Sequence, residues 1–235
     1  MSAIPTYLNE ILKISREFAA QNLRTLAVFD LDSTLFNVST RTQKILSEFA
    51  ELHDEERLRN IEVKHEDWGI KEAVLRAGLS LETDLELLND LRKFWSAKFF
   101  TNEYLHYDVP YMGAISFVQE LSETGCEIMY LTGRDQTRMY RGTLEVLKKW
   151  GFPLIEKNLF LKPRKEQDDE LFKEDWFKSL NHFDYKKIFF FENEPVNVNA
   201  ILSSSPEVEI IFLDTTHARK QEVTDPIKKI KNFSR

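Results

Sequence analysis

The 235-residue chain has little of what marks a specialised scaffold. With one cysteine, Cys126, it can form no internal disulfide, and the missing framework points to a reducing compartment. Seven glycines and seven prolines leave no low-complexity tract, and no internal repeat is visible. No apolar run approaches the ~20 residues of a bilayer span. The first twenty residues carry Glu10, Lys13, Arg16 and Glu17 where a signal segment needs an apolar centre. A cytoplasmic protein that makes no use of a membrane is therefore expected. An excess of basic residues is also missing. The 32 Lys and Arg against 39 Asp and Glu give a net charge of −7, which opposes long polyanionic nucleic acid as a partner but leaves room for a local basic pocket.

What is present is alternation. Ile4, Leu8, Ile11 and Leu12 share one helical face, which predicts a lead-in helix over residues 4–21. LRTLAVFD, residues 23–30, reads as a buried strand ending in an acid. From Asn37 to Tyr107 helices follow one another, over 39–52, 54–61 and 68–77. A long stripe then runs through Leu81, Leu85, Leu88, Leu91, Trp95 and Phe99. Beyond Pro110, strands at 126–134, 158–161, 186–191 and 208–213 alternate with helices around Ile115 to Leu121 and at 137–150, 170–181 and 196–203. This texture predicts an α/β protein: a Rossmann-like parallel sheet of about five strands with helices on both faces, plus a smaller all-helical domain. The expected division is a core of residues 1–36 and 108–235 and a helical domain of residues 37–107.

Ligands of open parallel sheets bind beyond the carboxyl ends of the strands. Those ends carry Asp30 and Asp32; Thr132, Gly133 and Arg134; Lys162; Glu192, Asn193 and Glu194; and Asp214. In VFDLDST, residues 28–34, the two acids are two positions apart, so an extended backbone points them the same way. A hard divalent ion such as Mg²⁺, with a phosphate completing its coordination, would relieve their repulsion.

These residues carry a family resemblance. DLDST at 30–34 resembles the first motif, DxDx[TV], of the haloacid dehalogenase-like superfamily of phosphohydrolases, and LTGR at 131–134 resembles its second. FFFENEPVN at 189–197 approximates the fourth, with Glu192 where an Asp is usual and Asn193 where a second acid often follows. The resemblance implies that Asp30 is a nucleophile forming an aspartyl-phosphate. Asp32 is then the general acid and base, with a pKa raised toward the working pH. Thr132, Gly133, Arg134 and a lysine would bind phosphate, Arg134 alternatively forming a salt bridge at the rim. Three lysines compete: Lys173, Lys178 and Lys162. The position of Lys173 at a helix start favours it, and Asp169, one helical turn earlier, is placed to orient its ammonium. The implied Mg²⁺ would be held by Asp30, the carbonyl of Asp32 and Glu192, with Glu194 the competing ligand. The helical segment between the first two motifs would be a lid, favouring a small phosphorylated substrate. A phosphatase for small phosphomonoesters is the leading expectation. A catalytically weak phosphate-binding protein and a nucleotide or nucleic-acid end phosphatase are the alternatives.

Overall fold

The computed structural model describes residues 7–155, 157–218, 220–224 and 226–235. Helix α1 (Tyr7–Ala19) buries Leu8, Ile11, Leu12 and Ser15, the i, i+3, i+4, i+7 face expected of it, while residues 4–6 of the expected lead-in helix lie outside the described residues. The chain continues through β1 (Thr25–Phe29), β2 (Phe36–Asn37), α2 (Ser39–Leu52), α3 (Glu56–Arg59), α4 (Lys71–Arg76) and α5 (Leu85–Phe99). After β3 (Val109–Pro110) come α6 (Ala114–Glu123), β4 (Glu127–Asp135), α7 (Gln136–Trp150), β5 (Leu159–Lys162) and α8 (Asp169–Ser179). The chain ends in β6 (Lys187–Glu192), α9 (Pro195–Ser204), β7 (Val208–Leu213) and β8 (Lys228–Ile230).

The large sheet has the order β5-β4-β1-β6-β7-β8, and every pairing in it is parallel. It has six strands rather than about five. The addition is β8, a three-residue edge strand of sequence KKI whose lysines hide it from a reading based on apolar runs. Period-two alternation divides the core. Ala27, Phe29, Phe189, Phe191, Ile211 and Leu213 face a cluster with residues of α1, α6 and α7. Leu26, Val28, Ile188, Phe190, Ile210 and Phe212 face the opposite cluster, with Phe177 of α8 and Val198 and Ile201 of α9. Both faces of the central strands are therefore covered by helices, which is why their sequences are continuously apolar.

Between β1 and β4 stands a helical insertion with its own apolar cluster, including Leu46, Phe49, Leu58, Val74, Leu88 and Leu91. The β2–β3 ribbon, pairing Phe36 with Pro110 and Asn37 with Val109, closes the two ends of that excursion. A 3-10 turn over Asn102–Tyr107 belongs to the sheet side: the amide of Gly142 donates to Asn102 Oδ1 at 2.7 Å, and Leu105 packs with Met139 and Leu161. A Cβ at Gly142 would collide with the backbone of Asn102, so the close approach requires glycine.

Candidate active site

Beyond Phe29 the chain leaves the sheet in a tight turn. The amides of Thr34, Leu35 and Phe36 all donate to the carbonyl of Leu31, and Ser33 adopts φ +61°, a left-handed conformation uncommon for a residue with a side chain. The turn is pinned from outside by Thr215, whose hydroxyl donates to the carbonyl of Ser33 at 2.6 Å. Asp30 and Asp32 are thereby fixed at the edge of a cavity of about 580 Å³, within the size range of small-molecule sites.

The two acids enter different surroundings. Asp30 is buried, and its Oδ1 accepts from the Lys173 ammonium at 2.7 Å. The same ammonium donates to Glu192 Oε2 at 2.7 Å. Burial pushes the Asp30 carboxyl up to about 7, with Glu192 adding to the rise and Lys173 opposing it. Burial disfavours the Lys173 ammonium, but Asp30 and Glu192 outweigh that and keep it protonated. Glu192 is engaged on all sides: Oε2 also accepts from Asn197 Nδ2 at 3.1 Å, and Oε1 from the amides of Asn193 and Glu194, both at 2.9 Å. Four donors fill the four acceptor positions of a carboxylate.

Asp32 faces two guanidiniums. Its Oδ1 accepts from Arg134, whose Nε lies at 2.9 Å and whose Nη2 also donates, and from Arg41 Nη2 at 3.0 Å. Both arginines donate to Asp108 Oδ2 at 2.7 Å, and Arg41 Nε also donates to Asp108 Oδ1 at 2.8 Å. Burial works to raise the Asp32 carboxyl, but Arg134 and Arg41 hold it down at about 2. The expected upward shift of Asp32 is thus reversed: its dominant neighbours are cations, not Asp30. Arg134, placed alternatively at the rim, is instead only 3% exposed. Asp108 itself is pushed up by burial, against the pull of Arg41 and Arg134.

The competing lysines separate cleanly. Lys178 is half exposed on the surface with Glu174, and Lys162 pairs with Asp169 at 2.5 Å. Asp169 therefore orients Lys162 and not Lys173, because its side chain lies over Gly133, where a Cβ would run into its carboxylate. Thr132 is buried beside the cavity, its hydroxyl accepting from the amide of Arg134 at 3.3 Å. Glu194 accepts from the amide of Ala218, with oxygens at 3.0 and 3.2 Å, and burial pushes its carboxyl up to about 7.

Among the described residues no three His, Cys, Asp or Glu side chains are grouped to hold a metal ion. The oxygens left over nonetheless suit a hard cation. Asp30 Oδ2 takes no hydrogen bond from the described residues, and Asn197 Oδ1 is buried without a partner. Oxygen donors of this kind fit Mg²⁺. Glu192 enters as the counter-ion of Lys173, its acceptor positions already filled.

Three residues of this site escaped the sequence reading. Arg41 and Asp108 lie in the helical stretch and just after it, 67 positions apart, and only the folded chain brings them together. Asn197 carried a signal, five positions after Glu192 on the first turn of the following helix.

Residues 90–192 match the model of the HAD superfamily, subfamily IIIB (Acid phosphatase), a span holding Thr132, Arg134, Lys173 and Glu192 but beginning after Asp30 and Asp32. No curated protein sequence matches the chain. Solved structures do. A Burkholderia xenovorans LB400 protein assigned as a haloacid dehalogenase-like hydrolase superposes with TM-score 0.56 at 13% identity, over 90% of this chain and 94% of that one. A Clostridium difficile protein assigned as a phosphatase gives 0.54 at 12% identity, over 89% and 95%. The Mycobacterium tuberculosis protein tyrosine kinase A (PtkA) gives 0.52 at 14% identity, over 88% and 93%. The chain has the fold of these proteins, and residues 90–192 are similar to the HAD superfamily.

Proposed function

We propose that the chain is a Mg²⁺-dependent phosphatase that hydrolyses small phosphomonoesters through an aspartyl-phosphate on Asp30. The observation that carries this reading is the placement of Asp30, with one oxygen held by Lys173 and the other free at the cavity. Asp30 attacks phosphorus, an oxygen–phosphorus bond forms, and the ester bond to the leaving alcohol breaks. Asp32, in its protonated form, gives its proton to the alcohol oxygen and becomes a carboxylate. Water then attacks the phosphorus, gives a proton to Asp32, and releases inorganic phosphate and the free carboxylate. As found, Asp32 is ionised, the form that accepts the proton from water; the donor half requires Arg41 and Arg134 to loosen their hold. Thr132, Gly133 and Arg134 border the phosphate position, and Lys173 keeps Asp30 oriented while offsetting charge on the transferred group. Asp30, the carbonyl of Asp32 and Asn197 would hold the metal, with Glu192 as the alternative ligand. Bound there, Mg²⁺ would neutralise phosphate charge.

A second reading, a phosphate-binding protein with weak turnover, is favoured by the full engagement of Glu192. One experiment separates the two: hydrolysis of 4-nitrophenyl phosphate with and without Mg²⁺, by the wild type and by Asp30→Asn. The phosphatase reading expects activity only in the wild type with Mg²⁺, and equal rates for both proteins would overturn it. A marked preference for an oligonucleotide carrying a terminal phosphate over the free nucleotide would instead favour the nucleic-acid end phosphatase.

A further inference from the structure

The cavity over Asp30 continues into the helical insertion, and its far wall is aromatic. Trp95 lies 4.5 Å from Phe99 and 5.9 Å from Phe100, centroid to centroid, and Phe99 and Phe100 lie 5.0 Å apart. The trio is held rigidly. The Trp95 indole donates to Thr42 Oγ1 at 3.2 Å, and the guanidinium of Arg41 covers the Phe99 ring at 4.1 Å. Trp68 lines the same cavity and is 50% exposed, a large apolar surface left facing the space a ligand would fill. Also in the lining is Glu72, whose Oε2 is buried and has no hydrogen-bond partner. A buried acceptor left unsatisfied is costly and calls for a donor.

Together these features describe more than a phosphate pocket. On the phosphatase reading above, we infer that the site takes phosphomonoesters whose alcohol carries a flat ring bearing a hydrogen-bond donor, the ring lying against the Trp95–Phe99–Phe100 wall and the donor meeting Glu72 Oε2. Aromatic faces attract a planar ring through offset and edge contacts as well as through area, which a bulky saturated ring cannot match. An amino or hydroxyl group on that ring supplies the hydrogen bond that Glu72 Oε2 lacks.

The test uses esters of primary alcohols, so that the chemistry at the leaving oxygen stays nearly constant while the body of the substrate changes. With Mg²⁺ present, benzyl phosphate is expected to exceed ethyl phosphate in kcat/KM by about tenfold or more. It is also expected to exceed cyclohexylmethyl phosphate, and 3-aminobenzyl phosphate to exceed benzyl phosphate by roughly fivefold. Trp95→Leu should raise KM for benzyl phosphate and leave ethyl phosphate unchanged. Glu72→Leu, which removes the acceptor, should remove the advantage of the amino group alone. Binding of the non-hydrolysable benzylphosphonate and ethylphosphonate, followed by tryptophan fluorescence, gives a readout that needs no turnover. If no ester is hydrolysed, the phosphatase reading fails, yet tighter binding of benzylphosphonate still upholds the ring assignment. Equal binding of the two phosphonates overturns that assignment, as does equal kcat/KM for benzyl and cyclohexylmethyl phosphate. An amino-group advantage that survives Glu72→Leu overturns the role of Glu72.

Discussion

Asp30 and Asp32 stand two residues apart on one turn, yet their environments have opposite electrical balances. Around Asp30, two acids share one lysine, so the cluster carries one buried negative charge in excess. Around Asp32, two acids share two arginines, and the charges cancel. An uncompensated buried charge is costly, so the first cluster has a standing demand for a proton or a cation. The second has none. The demand appears as the raised carboxyl of Asp30 and the balance as the lowered carboxyl of Asp32.

The contrast can be broken most forcefully at Asp30. Asp30→Asn is expected to lower phosphatase kcat roughly a thousandfold or more while the protein stays folded, checked by steady-state kinetics beside circular dichroism. Removing the shared cation comes next. Lys173→Met leaves Asp30 and Glu192 buried together and should cost about 3–5 kcal/mol of stability in urea unfolding. Arg41→Met should cost less, about 2–3 kcal/mol, because Arg134 still serves both Asp32 and Asp108.

A pH series sharpens the same contrast through its sign. The folded carboxyl of Asp30 lies near 7 against an ordinary 3.8, so the folded state holds its proton more tightly than the unfolded chain. Its contribution is fully present below about pH 4 and is lost as pH rises toward 7. For Asp32, held at about 2, the contribution is fully present above about pH 4 and is lost as pH falls through 2. Urea unfolding of the wild type in the absence of metal, compared with Asp30→Asn and Asp32→Asn from pH 2 to 8, should show the two slopes disappear separately. The smallest effect lies at the contact between insertion and core, where Thr216 Oγ1 donates to the carbonyl of Glu66 at 3.1 Å. Thr216→Val should cost about 1 kcal/mol in the same assay.

How much of this was legible follows from the range over which each residue acts. The strand tips were readable because Asp30, Thr132 and Glu192 each terminate or follow a buried apolar run, and a parallel sheet gathers such ends by construction. Lys173 was readable from its helix start, although the proposed support from Asp169 went to Lys162. The ionisation of Asp32 was not readable. Its sequence neighbour is an acid, whereas its spatial neighbours arrive from 9 and 102 positions away. The alternation of β4 to β7 matched the expected strands closely, but β8 carries two lysines before Ile230 and shows no apolar period. Cavity walls such as Trp95 and Phe99 appeared only as a helical stripe, since periodicity places a face without saying what stands opposite it.

Arg41 sits on the first helix of the insertion, and its three hydrogen-bonding nitrogens reach Asp108, Asp32 and the carbonyl of Phe99. It acts as a latch. Lifting α2 away from the sheet would withdraw one guanidinium from a balanced quartet, whereas the loop at residues 61–70 meets the core through the hydrogen bond from Thr216 to Glu66. Any opening of the insertion that moves α2 would therefore have to break that quartet.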